Sequence, residues 1–162
     1  MPRWLPFTLP ESCDQIADSL THMEPDQRYV SKPFFTTYKM MNRAVVLVVE
    51  DHPLIRLNAL ELVETAGFEG IGAENADAAI SILESRADIR LVFTDVEMPG
   101  SMDGLKLVHY IRDRWPPIQL MVASGRAILQ ESQLPAGSKF FSKPYDEHSL
   151  VAEMRRLLAM EH

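Results

Sequence analysis

The sequence predicts an α/β fold, a doubly wound parallel sheet with helices on both faces. Three observations carry that prediction. Ala44 to Val49 (AVVLVV) is an unbroken apolar run rich in β-branched residues, the pattern of a strand covered on both sides. Short runs of this kind then alternate with amphipathic stretches of helical spacing through the rest of the chain. The runs also stop abruptly at polar residues, among them Glu50, Asp95, Ser124 and Lys143. Strands that alternate with helices pair in parallel through right-handed crossovers, because a helix must return the chain across the sheet.

The elements follow in order. The first strand ends in Glu50 and Asp51. Pro53 suits the first turn of a helix, and Ile55, Ala59, Leu62, Val63 and Ala66 recur at helical spacing before Gly67 stops it. A short strand is expected at about 69–73. Asn75 caps a second helix with Ala76, Ala79, Ile80 and Leu83 on one face, and Leu91 to Thr94 form a buried third strand. After the turn Pro99-Gly100-Ser101, a helix is expected over 103–114, closed by Pro116 and Pro117, with a fourth strand over Ile118 to Ala123. Pro135 and Gly137 limit any fourth helix near Ala127 to Glu131 to a short or mobile piece. Lys139 to Ser142 form the fifth strand, and Leu150, Met154, Leu157 and Leu158 mark the last helix.

Composition bounds the class. A length of 162 residues corresponds to one compact domain at about 150 residues each. Hydrophobic and charged shares of 46% and 24% exclude a disordered, collagen-like or wholly coiled-coil chain. No apolar run reaches the roughly 18 residues that span a bilayer. The N-terminal MPRWLPFTLPESC is broken by three prolines, unlike a secretory signal, so a cytoplasmic location is expected. The single Cys13 can form neither an internal disulfide nor a zinc cluster by itself. With 16 basic against 23 acidic residues, the net charge of −7 has the wrong sign for a nucleic-acid surface. Residues 1–43 lack the regular pattern and carry five prolines. They are expected to be an N-terminal extension, poorly ordered or an artefact of an upstream start, with Met40 and Met41 just before the regular part.

In open parallel sheets the ligand site lies beyond the carboxyl ends of the strands. That rule gathers Glu50, Asp51, Asp95, Ser124 and Lys143. Three crowded carboxylates repel one another, so the site either raises a pKa or holds a cation, and hard oxygen ligands with room for water suit Mg²⁺. A nearby lysine neutralises phosphate charge, a serine hydroxyl donates to a phosphoryl oxygen, and a carboxylate can form an acyl phosphate.

At this point the sequence resembles the response-regulator receiver domain of two-component signalling. VVLVVEDHP at the first strand, LVFTDVEMPGSMDG at the third, VASG at the fourth and FFSKPY at the fifth carry the resemblance, which covers about Ala44 to Met160. It implies a (βα)5 flavodoxin-like fold with strand order 2-1-3-4-5, here over residues 44–160. It also implies that Asp95 is the phosphoacceptor, and that Asp51 and Asp95 bind Mg²⁺ directly, Glu50 through water and Glu97 through its backbone carbonyl. Lys143 would pair with the aspartate and then its phosphate. Ser124 and Phe140 would form the switch, and Gly125 would keep the nucleophile accessible. Glu97 and Arg126 would line the route of hydrolytic water and so affect phosphoryl lifetime. The Lys143-Pro144 peptide is often cis in this family. The loop after Asp95, MPGSMDG, is one residue longer than the common form; this insertion, the SG pair and the weak fourth helix resemble single-domain receivers of alphaproteobacteria.

Simpler roles exist for the same residues. Glu50 and Asp51 could complement the dipole of the helix after Pro53, Asp95 could cap a turn, Lys143 could be solvated, and Ser124 could cap the fourth helix. Phe140 and Phe141 could simply be core. His52, His109 and His148 have no metal-ligand spacing and are expected at the surface. Because the chain ends after the last helix, the expected function is a stand-alone response regulator. It would be phosphorylated by a histidine kinase or histidine phosphotransfer protein and read by a downstream protein target, with no nucleic-acid or membrane partner. A Mg²⁺-dependent phosphatase with an aspartate nucleophile is the enzymatic alternative, but that class usually carries Asp-x-Asp on its first strand. A phosphorylation-independent receiver-like binding module is the third reading, disfavoured by the intact acid trio, serine and lysine.

Overall fold

The computed structural model describes residues 43–125 and 131–159. Five strands, β1 (Val45–Val49), β2 (Glu69–Ala73), β3 (Ile89–Asp95), β4 (Gln119–Ser124) and β5 (Lys139–Ser142), form one sheet of order β2-β1-β3-β4-β5. All four neighbouring pairs are parallel. The crossovers carry α1 (Pro53–Thr65), α2 (Ala76–Ser85) and α3 (Gly104–Arg114), and α4 (Glu147–Ala159) follows β5. Between β4 and β5 the described residues hold one 3-10 turn, Glu131–Gln133. The short helix expected near Ala127 lies outside the described residues.

Alternation along each strand divides the core into two layers. Val45, Leu47 and Val49 of β1 join Ala76, Ala79 and Leu83 of α2 and Leu107, Val108 and Ile111 of α3 on one face. Val46 and Val48 point the other way, into Ala59 and Val63 of α1 and Leu150, Met154 and Leu157 of α4. Every residue of β1 is buried, which is why its sequence reads as continuous apolar rather than alternating. Fully buried leucines such as Leu47, Leu91 and Leu120 each contribute about 1.5–3 kcal/mol of transfer free energy.

The helix signals act where the sequence placed them. The Asn75 side chain accepts from the Ala78 amide at 2.8 Å, and Asp103 accepts from the Lys106 amide at 2.9 Å. Asp103 is thus the cap of α3 rather than its first helical residue. Gly67 follows α1 with φ +97°, a conformation that a side chain disfavours. β3 begins two residues earlier than the apolar run indicated. The β1–β3 register shifts between Val45 and Val46, so that Val45 faces Ile89 while Val46 faces Leu91, and Arg90 is passed over at the surface. β4 starts at Gln119, because the Ile118 amide is used by the Trp115 carbonyl in the preceding turn. Among the described residues no helix is long and apolar enough to cross a membrane.

Candidate functional site

The sheet order reverses at β1, which has β2 on one side and β3 on the other. Carboxyl ends of strands diverge from their helices at such a point and leave a crevice. Glu50 and Asp51 follow β1 there, and Asp95 ends β3 beside them. One carboxylate oxygen from each lies within 4.8 Å of the other two. Glu50 and Asp95 are buried, whereas Asp51 is partly open to solvent.

Lys143, just beyond β5, reaches across the sheet to this cluster. Its Nζ lies 2.8 Å from Asp95 Oδ2 and 3.1 Å from Glu50 Oε2. One ammonium facing three carboxylates leaves the group short of positive charge, and its all-oxygen donors fit a hard divalent cation such as Mg²⁺. Burial raises the Glu50 carboxyl above its ordinary value, with the His52 amide and Lys143 opposing the shift. For Lys143, burial lowers the ammonium, but the hydrogen bond and charge of Asp95, with those of Glu50, outweigh it and the net shift is upward. Charges that crowded are held by each other.

The backbone around the cluster is fixed by contacts that the residue pattern did not announce. Arg56 on α1 donates through Nη1 to the Glu50 carbonyl at 2.6 Å and to the Asp51 carbonyl at 3.4 Å, tying the acidic turn to the helix after it. The Thr94 hydroxyl donates to the Asp95 carbonyl at 2.8 Å. Gly104 opens α3 directly over Asp95, where a Cβ would fall 1.8 Å from the Asp95 carbonyl oxygen and 2.8 Å from its carbon. Only glycine permits that approach, so the last residue of MPGSMDG is a requirement of the site's geometry. The turn signal in that motif was readable, but not the steric reason for its final glycine. No side chain caps the N-terminus of α1 and no acidic residue stands in its first turn, so Glu50 and Asp51 meet that helix only from the turn before it.

Ser124 ends β4 with no solvent exposure. Its hydroxyl donates to Glu97 Oε1 at 2.6 Å, and the next amide, Gly125, donates to Glu97 Oε2 at 3.2 Å. The Glu97 amide in turn donates to Asp95 Oδ1 at 3.3 Å. Glu97 therefore bridges the end of β3 to the end of β4. Phe140 pairs in register with Val122, two residues before Ser124, so Phe140 and Ser124 point to the same face of the sheet. Phe140 is half-buried there against the α2–α3 layer, while Phe141 packs on the opposite layer. The Lys143-Pro144 peptide is cis, as the resemblance implied. His52 and His148 are exposed, and exposed His109 contacts the Gln133 carbonyl at 2.8 Å. Arg126 lies outside the described residues.

A doubly wound parallel sheet with an acidic cluster and a lysine at its strand ends defines the class, and comparison with known proteins names the family. The model of the response regulator receiver domain matches residues 46–155, so the chain belongs to that family of two-component signalling proteins. The response regulator protein FleR of Pseudomonas aeruginosa is 35% identical over 113 residues, covering 67% of this chain and 23% of FleR. The response regulator receiver protein CpdR of Brucella abortus is 28% identical over 116 residues, covering 70% of this chain and 95% of CpdR. Among solved structures, the response regulator TrrA of Thermotoga maritima, in complex with Mg²⁺ and BeF, is 26% identical with a TM-score of 0.61. That match covers 70% of this chain and 97% of TrrA. The chain thus spans under a quarter of FleR but nearly all of CpdR.

Proposed function

We propose that the chain is a stand-alone cytoplasmic response regulator whose residues 44–160 accept a phosphoryl group on Asp95 and signal through protein contact. The observation that carries this reading is the Asp95 carboxylate itself, buried at a strand end, paired with Lys143 at 2.8 Å and grouped with Glu50 and Asp51. The near-complete overlap with CpdR supports the stand-alone form, and residues 1–43 then form an extension outside the receiver.

Asp51 and Asp95 would hold Mg²⁺ directly, Glu50 through water and Glu97 through its backbone carbonyl. Bound Mg²⁺ supplies positive charge that draws phosphoryl oxygens toward the cluster. The chain's own residues do the rest. An Asp95 oxygen bonds to phosphorus as the phosphorus–nitrogen bond of a phosphohistidine breaks, and the leaving imidazole keeps the electron pair and takes a proton. Lys143 neutralises a phosphoryl oxygen, and the Ser124 hydroxyl turns toward another. Phe140, on the same face as Ser124, follows that movement, and the shifted surface is read by a downstream target. The phosphoryl donor is a histidine kinase or histidine phosphotransfer protein. Glu97 and Arg126 set how readily water reaches the phosphoryl group.

Incubation of the full chain with Mg²⁺ and acetyl phosphate tests this reading by intact mass. One acid-labile phosphoryl group is expected on the wild type and none on Asp95→Asn. Equal behaviour of the two proteins contradicts it, and rapid multiple turnover of a small phosphate ester would indicate a phosphatase instead.

A further inference from the structure

The Glu97 carboxylate stands on the Ser124 hydroxyl, the donor that the proposed chemistry needs, and on the amide next to it. A serine hydroxyl has one proton to give, and Ser124 gives it to Glu97 Oε1 at 2.6 Å, a short, charge-assisted contact. Ser124 has no solvent exposure, so water does not compete for that proton. The Gly125 amide donates to the other oxygen of the same carboxylate at 3.2 Å. Two oxygens of one anion thus sit on two consecutive donors at the end of β4, the arrangement a phosphoryl group would take. The anion is also tethered close to Asp95, because the Glu97 amide donates to Asp95 Oδ1 at 3.3 Å.

We propose that Glu97 is a built-in competitor for the phosphoryl group: its carboxylate occupies the Ser124 hydroxyl and the Gly125 amide and must leave before either donor reaches a phosphoryl oxygen on Asp95. This inference rests on the reading of Asp95 as phosphoacceptor and goes beyond it, since it assigns Glu97 a direct hold on the switch. Two negative groups cannot both sit close to Ser124 at low cost, and each must be matched by a donor. While Glu97 holds both donors, the switch stays closed to weak or accidental phosphoryl donors. A phosphoryl group on Asp95 brings more negative charge and three acceptor oxygens, and it displaces the single carboxylate. Glu97 acts through Ser124 and Gly125, so it is a positioning residue.

The test is titration of beryllofluoride, a phosphoryl analogue, with Mg²⁺ into the full chain, following backbone amide shifts that include Gly125. Glu97→Ala is expected to bind about tenfold more tightly than wild type, the order expected when one charge-assisted hydrogen bond no longer has to be broken. Glu97→Gln, which keeps the shape but not the charge, falls between the two. In a Ser124→Ala background the gain from Glu97→Ala shrinks, because half of what Glu97 withholds is already gone. Glu97 as mere support for the loop predicts the opposite sign, so weaker or unchanged binding by Glu97→Ala overturns the proposal. If folded wild type and Glu97→Ala both fail to bind beryllofluoride, the Asp95 reading itself fails and the competitor falls with it. If wild type binds in an Asp95-dependent way and only the Glu97 effect is missing, the competitor alone is refuted.

Discussion

Gly104→Ala is a single-methyl change with a large expected effect. The added Cβ would lie 1.8 Å from the Asp95 carbonyl oxygen, 2.8 Å from its carbon and 3.0 Å from Val96 Cα. Close carbon–oxygen contacts in proteins sit near 3.3 Å, so α3 and the end of β3 must separate by about 1.5 Å. Both partners are backbone, so no side chain can turn away. The separation also strains the Gly104 amide's bond to the Val96 carbonyl at 3.1 Å. Overpacking of this kind costs about 1–3 kcal/mol and a lost hydrogen bond about 1 more, giving roughly 2–4 kcal/mol. A fall of that size lowers the thermal midpoint by on the order of 10 °C. Gly72→Ala is the control, since its Cβ would meet Leu60 Cδ1 at 3.1 Å, the far end of a flexible side chain. Urea unfolding of the two variants decides the matter. If Gly104→Ala unfolds within about 0.5 kcal/mol of wild type, the close approach of α3 to Asp95 is not a constraint and the steric argument is wrong.

Three further outcomes are expected. Lys143→Met leaves Glu50, Asp51 and Asp95 facing one another without their cation and is expected to cost about 1–3 kcal/mol, discounted from a fully buried pair because Lys143 is partly open to water. Asp95→Asn, which removes one of the three repelling charges, should be clearly more stable than Lys143→Met in the same denaturation assay. Added Mg²⁺ is expected to stabilise wild type by about 2.7 kcal/mol at a hundredfold excess over its dissociation constant, and Asp51→Asn should lose most of that gain in a thermal scan. At the start of α4, Asp146 Oδ2 accepts the Ser149 hydroxyl and amide, both at 2.7 Å, which holds its carboxyl below the ordinary value of 3.8. A lowered carboxyl contributes stability above its unfolded pKa and loses it as pH falls through the folded one, so the acid limb of unfolding should be shallower in Asp146→Asn.

Local patterns made most of the fold legible. A central strand buried on both faces had to be apolar throughout, and Val45–Val49 is; β2 and β5 have the expected bounds because turn residues fence them on both sides. Where the reading fell short, a backbone contact, across the sheet or within a turn, overrides the side-chain pattern. Arg90 hides the start of β3, because a polar residue at a register shift interrupts the apolar run. Ile118 looks like strand but gives its amide to a turn. The candidate site divides in the same way. The acids, serine and lysine were visible because strand ends converge by topology, whatever the loops do. Arg56, the steric need for Gly104 and the hold of Glu97 on Ser124 were not, because each depends on turn and loop geometry that no periodicity encodes. The resemblance singles out Glu97 as a backbone-carbonyl ligand and as a charge two residues past Asp95, and neither role points to its carboxylate holding Ser124.

The phosphoryl group is expected on one side chain, Asp95. After incubation of the full chain with Mg²⁺ and acetyl phosphate, hydride reduction converts an aspartyl phosphate to homoserine, and peptide mass spectrometry reads the position. The account predicts homoserine at position 95, with none at Asp51 and none anywhere in Asp95→Asn. Homoserine at another carboxylate, or an unmodified peptide from fully folded protein, contradicts it.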